Sequence, residues 1–300
     1  MQIFTSEFKE VDTKEVVRNL NDKGYFAFPS ALTKNAVTTI ESDSTKTKIN
    51  LNSNLIGGVF FEKQFYQTKL LSVSKTFYNF ATSSFVFKVC RQYLGEEFRL
   101  KALRYYETYG GHHMQWHTDN KTDRELALIP GIIFIFYVED VEDGEFQYVE
   151  GSHLYSGKNA YSDYSDEFIE NNYNEKIKSF KMGSGSLIIY NTYGIHRAKP
   201  VKNKNFVRKS VFFQVDSNLK NAEPRIVNTE FITEMNTQIQ MFLGFGLSGK
   251  YDVFPKTKLN SLPLNIRLIV IFRNYFFYRL ARPIYNHMPN FIKSFIKKFK

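Results

Sequence analysis

The sequence predicts an α+β chain, mostly β with flanking helices, whose core is a sandwich or barrel of short strands such as the jelly roll. Three observations predict it. From Phe98 onward, short segments rich in Tyr, Phe, Ile and Val follow one another, separated by glycine breaks at Gly110-Gly111, Asp143-Gly144 and Gly183-Ser184-Gly185. Before Phe98, short segments carry apolar residues at helical spacing, and Glu62–Leu94 is apolar and aromatic at mixed spacing. The composition, 43% hydrophobic and 17% aromatic over 300 residues, is enough to fill a substantial core.

Taken in order, Lys14–Asp22 reads as a short helix, with Val16, Val17 and Leu20 at helical spacing and Thr13 as its N-cap. Lys23-Gly24 breaks it, and Gly24–Pro29 is a strand ended by proline. Leu32-Thr33 caps a second helix carrying Val37 and Ile40. Asn50–Gly58 is polar and loop-like, and Glu62–Leu94 reads as two helices packed on the core. The expected strands are then Leu100–Glu107, Met114–Asp119, Ala127–Glu139, Glu145–Val149, Lys176–Phe180, Ser186–Asn191 and Arg208–Val215. Gly151–Tyr173 is a polar insertion, a lid or a surface loop.

A single cysteine, Cys90, excludes an intramolecular disulfide framework and any zinc site built on several thiolates. It fits a reducing compartment, and Met1–Lys9 holds no apolar run of signal-peptide length, so a cytoplasmic chain is expected. The net charge of +10 is unevenly placed. After Asp252 there are ten basic residues and no acidic one, which leaves a body balanced at 30 of each sign. We therefore divide the chain into a domain, 1–252, and a basic, aromatic-rich helical tail, 253–300. Ile266–Leu280 carries three arginines and is too short and too charged to span a bilayer. Phe291, Ile292, Phe295, Ile296 and Phe299 share one helical face, and Lys293, Lys297 and Lys300 another, the pattern of an interfacial helix. Three readings of the tail stay open: helices packed on the domain, an anionic membrane surface met through 259–300, or nucleic acid. The Phe/Ile spacing favours the membrane, peripherally at its inner face, and disfavours nucleic acid.

The chemistry concentrates in Gln115-Trp116-His117-Thr118-Asp119. Alternate residues of a strand share a face, so His117 and Asp119 converge as two metal ligands would. His196, after the strand Ser186–Tyr190, supplies a third candidate. Two histidines and a carboxylate on one face of an iron leave positions open for co-substrate and oxygen, the facial triad of non-haem Fe(II) oxygenases. Arg208 opens a strand in which Arg208, Ser210, Phe212 and Gln214 share a face, and a guanidinium suits bidentate pairing with a keto-acid carboxylate. Lys209 beside it leaves open which cation faces inward; parity with Ser210 favours Arg208. His112 and His113 read as loop residues or substrate contacts, and His153 and Trp116 as structural.

With these residues in this order, the chain resembles the phytanoyl-CoA dioxygenase family of Fe(II)/2-oxoglutarate-dependent oxygenases. "NDKGYFAFPSALTKNAV" is similar to the family's opening, "QWHTD" to its His-x-Asp strand, and "EDVEDGEFQYVEGSH" to its acidic turn and Gly-Ser-His. "HRAKP…VRKS" is similar to its distal histidine and arginine. The resemblance covers roughly Val11–Asp216 and departs from the pattern at Val149-Glu150, where the family usually has a proline. It implies a double-stranded β-helix (jelly-roll, cupin-like) core, and Fe(II) held by His117, Asp119 and His196. It also implies 2-oxoglutarate held by Arg208, with Ser210 as a second contact. The implied reaction consumes O2 and 2-oxoglutarate, releases succinate and CO2, and hydroxylates an unactivated C–H bond. Related halogenases have a small residue in place of the carboxylate, so Asp119 implies hydroxylation. The expected substrate is a small molecule, a lipid-linked intermediate or a glycan precursor. The competing readings are a cupin-like metal enzyme that does not use 2-oxoglutarate, and a non-catalytic jelly-roll binding protein acting through its tail.

Overall fold

The structure is a computed structural model that describes residues 1–45, 59–61, 64–112, 114–119, 131–155, 164–217, 227–234 and 236–244, with isolated positions 280, 284, 287–289 and 292 beyond. The tail 253–300 and the loop Asn50–Gly58 fall almost wholly outside the described residues. In chain order the elements begin with α1 (Ser6–Lys9), α2 (Thr13–Asp22), β1 (Tyr25–Phe28), α3 (Lys34–Thr45), β2 (Val59–Phe61) and β3 (Gln64–Gln67). Helices α4 (Leu70–Val73), α5 (Lys75–Ala81) and α6 (Ser84–Leu94) follow, then β4 (Arg99–Tyr109), β5 (Ile132–Tyr137) and β6 (Phe146–Val149). Helix α7 (Asp166–Tyr173), β7 (Ile177–Phe180), β8 (Leu187–Asn191), β9 (His196–Ala198), β10 (Val207–Asp216) and α8 (Thr237–Leu243) complete them.

Two antiparallel sheets form the jelly roll. The larger has seven strands in the order β1-β8-β5-β10-β4-β3-β2, and the smaller three, β7-β6-β9. Alternation on the central strands creates two environments. Val211 and Phe213 of β10, Phe134 and Phe136 of β5, and Leu187 and Ile189 of β8 face the helices. There Phe213 stacks on Phe134 at 4.7 Å and meets Phe80 of α5 edge-on at 5.5 Å. Such ring pairs add about 0.5–1.5 kcal/mol to the area they bury, and Phe213→Ala would cost about 3–5 kcal/mol. The alternate residues, including Ile133 and Tyr137, Ile188 and Tyr190, face the smaller sheet. A β-bulge between Gln214 and Val215 adjusts the pairing of β10 with β4.

The helices are local in origin. Ser74, Ser83 and Ser165 cap α5, α6 and α7 by accepting from backbone N–H groups of the first turn. Helix α2 starts one residue before the expected Lys14, because Asp12 rather than Thr13 caps it, accepting from Lys14 N–H at 2.9 Å. Val16 and Leu20, both fully buried, seat it on the sheet.

Three expectations need correction. The stretch Glu62–Leu94 does not hold two helices alone: β3 comes first, paired to β4, and three helices follow. Its mixed spacing reflects that switch from strand to helix. Met114–Asp119 is not a continuous strand; only Trp116 and His117 form bridges, to Tyr164 and His196. The polar insertion Gly151–Tyr173 ends in a helix, α7, whose Ile169 is fully buried. Among the described residues no helix is long and apolar enough to cross a membrane.

Candidate metal centre

His117, Asp119 and His196 come together at the inner face of the smaller sheet. One ligand atom from each lies within 4.8 Å of the others. The backbone arranges this. His117 and His196 exchange both N–H to carbonyl bonds, at 3.0 and 2.9 Å, and Asp119 N–H donates to Thr192 O at 3.0 Å. A close antiparallel pair therefore carries both imidazoles on one side, with ring centroids 4.5 Å apart. The chain bends at Asp119, two residues on, and brings the carboxylate beside them.

The imidazoles are oriented for ligation. His117 Nδ1 lies 2.8 Å from Gln115 O, and His196 Nδ1 lies 2.9 Å from Gly194 O. A carbonyl can only accept, so both Nδ1 atoms carry a proton, which leaves Nε2 as the nitrogen each ring can turn to a metal. His196 Nε2 stands 3.2 Å from Asp119 Oδ2. Burial alone would push the Asp119 carboxyl up. The imidazoles of His196 and His117, with hydrogen bonds from His196 and Tyr190, outweigh it and hold the carboxyl below its ordinary range. A deprotonated carboxylate and two preoriented imidazoles fit a divalent metal of the iron or zinc type.

The cluster opens into a cavity of about 590 Å³ between the sheets. Arg208, Ser210, Phe212 and Gln214 of β10 line it, as strand parity requires. Arg208 is 7% exposed, and its guanidinium donates to Gly144 O and to Thr108 Oγ1, the latter at 3.2 Å. Lys209 points to the other face, where Nζ donates to Glu41 Oε1 at 2.8 Å and to Glu139 Oε1. The inward cation is thus Arg208.

Sequence reasoning missed several residues of this cavity. Tyr190 Oη donates to Asp119 Oδ2 at 3.2 Å. Arg104 of β4 lines the cavity, donates to Tyr106 Oη at 3.0 Å, and lies 5.6 Å over the Phe212 ring. The parity that placed Arg208 inward would have placed both, had it been applied to β8 and β4. The remaining candidates sit elsewhere. His153 Nε2 bonds Asn21 O at 2.8 Å and ties the Gly-Ser-His turn to α2. Trp116 is 1% exposed and lies under the Arg197 guanidinium at 4.3 Å, filling the sheet edge behind His117. His113 lies outside the described residues.

Fold and site together define a jelly-roll chain with a two-histidine, one-carboxylate cluster and a buried arginine in one cavity. No protein-family model and no curated protein matches the sequence. Solved structures do match in fold. HygX from Streptomyces hygroscopicus with nickel and 2-oxoglutarate bound superposes with a TM-score of 0.56 at 16% identity, over 73% of this chain and 92% of that one. HygX with nickel, 2-oxoglutarate and hygromycin B bound gives 0.56 and 16%, over 74% and 95%. HygX with iron bound gives 0.53 and 15%, over 75% and 95%. At this identity the likeness is one of fold.

Proposed function

We propose that the protein is an Fe(II)/2-oxoglutarate-dependent oxygenase that hydroxylates a small-molecule substrate. The observation that carries this reading is the convergence of His117, Asp119 and His196 in the cavity that Arg208 enters from the facing sheet. The metal and 2-oxoglutarate bound to the similarly folded HygX support it, as do the motifs that resemble the phytanoyl-CoA dioxygenase family.

In this reading His117, Asp119 and His196 hold Fe(II). Bound there, it supplies the oxidative chemistry that consumes O2 and 2-oxoglutarate and releases succinate and CO2. The chain's own residues supply binding and positioning. Arg208 pairs with the distal carboxylate of 2-oxoglutarate, with Ser210 beside it as a second contact. Its bonds to Gly144 O and Thr108 Oγ1 fix the guanidinium plane in advance, which lowers the ordering cost of binding. Phe146, Tyr137 and Phe212 exclude water around it. Asp119, present where halogenases have a small residue, supports hydroxylation. Hygromycin B in a HygX structure supports a small-molecule substrate. On its sequence, 253–300 supports docking to anionic membrane at the inner face; a chain cut after Tyr251 would then lose co-sedimentation with anionic liposomes.

The test is succinate formation from 2-oxoglutarate by the purified full chain with Fe(II) and oxygen, with and without candidate substrates. Asp119→Ala should abolish substrate-coupled turnover. Failure of the wild-type chain to bind iron or 2-oxoglutarate would leave the non-catalytic reading in its place, and metal binding without 2-oxoglutarate the cupin-like one.

A further inference from the structure

Tyr190 is a cavity residue whose chemistry the reading above does not use. It sits on β8, paired with Tyr25 on one side and Ile133 on the other, so its backbone is fixed by two neighbouring strands. Its ring packs on Phe146 at 4.8 Å, His196 at 4.7 Å and Tyr148 at 6.0 Å, and the side chain is buried. That packing aims the phenol oxygen at one point. Oη lies 3.2 Å from Asp119 Oδ2 and 3.4 Å from His196 Nε2.

Asp119 Oδ2 thus lies within hydrogen-bond distance of Tyr190 Oη and His196 Nε2. Only one of them survives metal loading as a hydrogen-bond donor. Once His196 Nε2 turns its lone pair to a metal it has no proton to offer the carboxylate. The phenol keeps its proton and can still donate. The oxygen it engages, Oδ2, is the one beside His196 Nε2, so this bond fixes which way the carboxylate faces at the metal site. Without the phenol the carboxylate loses that anchor and can turn toward the open side of the cavity.

We propose that Tyr190 is a positioning residue for Asp119: its phenol donates to Oδ2, fixes the carboxylate's orientation at the metal site, and keeps it out of the space a co-substrate would take. This rests on His117, Asp119 and His196 forming the metal site. Partners of this kind, outside the ligand set, are commonly worth ten- to a hundredfold in metal affinity.

Tyr190→Phe removes the oxygen and keeps the ring. Co(II) serves as the probe, titrated by calorimetry into the metal-free full chain, with its visible absorption recorded and 2-oxoglutarate then added. The expected results are a Co(II) affinity lowered ten- to a hundredfold, an altered absorption spectrum, and weaker 2-oxoglutarate binding to the loaded variant, with the melting temperature of the metal-free form unchanged. Wild-type affinity and spectrum in Tyr190→Phe would overturn the proposal and leave the metal site standing. No Co(II) binding by the wild type would instead remove the metal site itself. A second measurement needs no variant. In the Zn(II)-loaded wild type the Tyr190 hydroxyl proton should exchange slowly with solvent and be detectable by NMR. Its absence, or a phenolate charge-transfer band on ferric loading that shows the oxygen in the coordination sphere, would also overturn the proposal.

Discussion

Replacing Gly194 by alanine tests how tightly the cavity wall holds His196. A Cβ built on Gly194 would stand 1.8 Å from Tyr148 Oη, 2.0 Å from its Cζ and 2.4 Å from its Cε2. Ordinary van der Waals contact starts near 3.4 Å, so the ring must move by more than an ångström. It has nowhere to go. Tyr148 is fully buried, its Oη already lies 2.3 Å from where a Cβ on Gly24 would be, and Tyr25 and Tyr190 flank it at 5.6 and 6.0 Å. Overpacking of a rigid site costs about 1–3 kcal/mol, and this case belongs at the upper end or beyond. At about 2–4 °C per kcal/mol, the melting temperature should fall by roughly 6–12 °C. The loss should reach the site too, because Gly194 O accepts the hydrogen bond from His196 Nδ1. Co(II) affinity of Gly194→Ala should therefore drop while that of a distant core variant of equal stability does not. Tyr148→Leu, which makes room, should couple with Gly194→Ala by more than about 1 kcal/mol in a double-mutant cycle. Thermal melts and Co(II) titrations of the four proteins provide the data. A melting point within about 2 °C of wild type, or strictly additive effects, would refute the packing argument.

Other outcomes follow from the same geometry. Tyr148 Oη has no hydrogen-bond partner among the described residues, so Tyr148→Phe should leave stability unchanged or raise it, read by chemical denaturation. Lys209→Met should lower stability by no more than about 1 kcal/mol, because its pairs with Glu41 and Glu139 are partly exposed. It should not change 2-oxoglutarate affinity; a loss like that of Arg208→Ala would mean the inward cation has been misassigned. Asp143 is pushed up by burial, but the N–H groups of Asn203, Lys202 and Gly144 outweigh this and hold it below the ordinary carboxylate range. A depressed folded value stabilises above the unfolded pKa of about 3.9 and is lost as pH falls through the folded value. Asp143→Ala should thus cost about 1–3 kcal/mol at pH 7 and progressively less below about pH 4. An equal deficit at both pH values would contradict that.

Much of the fold was legible because its central strands carry unambiguous patterns. Strands β5 and β8 are continuous apolar runs, as strands buried on both faces must be, and β10 alternates Arg208, Ser210, Phe212 and Gln214 with Val211 and Phe213. The cluster was legible for a related reason: His117 and Asp119 are close in sequence, and His196 follows a recognisable strand. What was not legible depends on partners far away. Strand β3 is four residues within an aromatic stretch and becomes a strand by pairing with β4 and β2. Strand β9 is three residues, His196–Ala198, held by β6 and by the His117 bridge. Tyr190 looked like one more apolar strand residue. Its role as a donor appears only when Asp119, 71 positions earlier, arrives beside it.

The central claim is that one cavity holds a metal on His117, Asp119 and His196 and a keto-acid on Arg208. Calorimetric titration of 2-oxoglutarate into the full chain, with and without Co(II), tests it most directly. The account predicts one 2-oxoglutarate per chain when metal is present, tight binding lost without metal, and affinity sharply reduced in Arg208→Ala. Binding that is indifferent to metal or to Arg208, or no binding to the metal-loaded wild type, would contradict it.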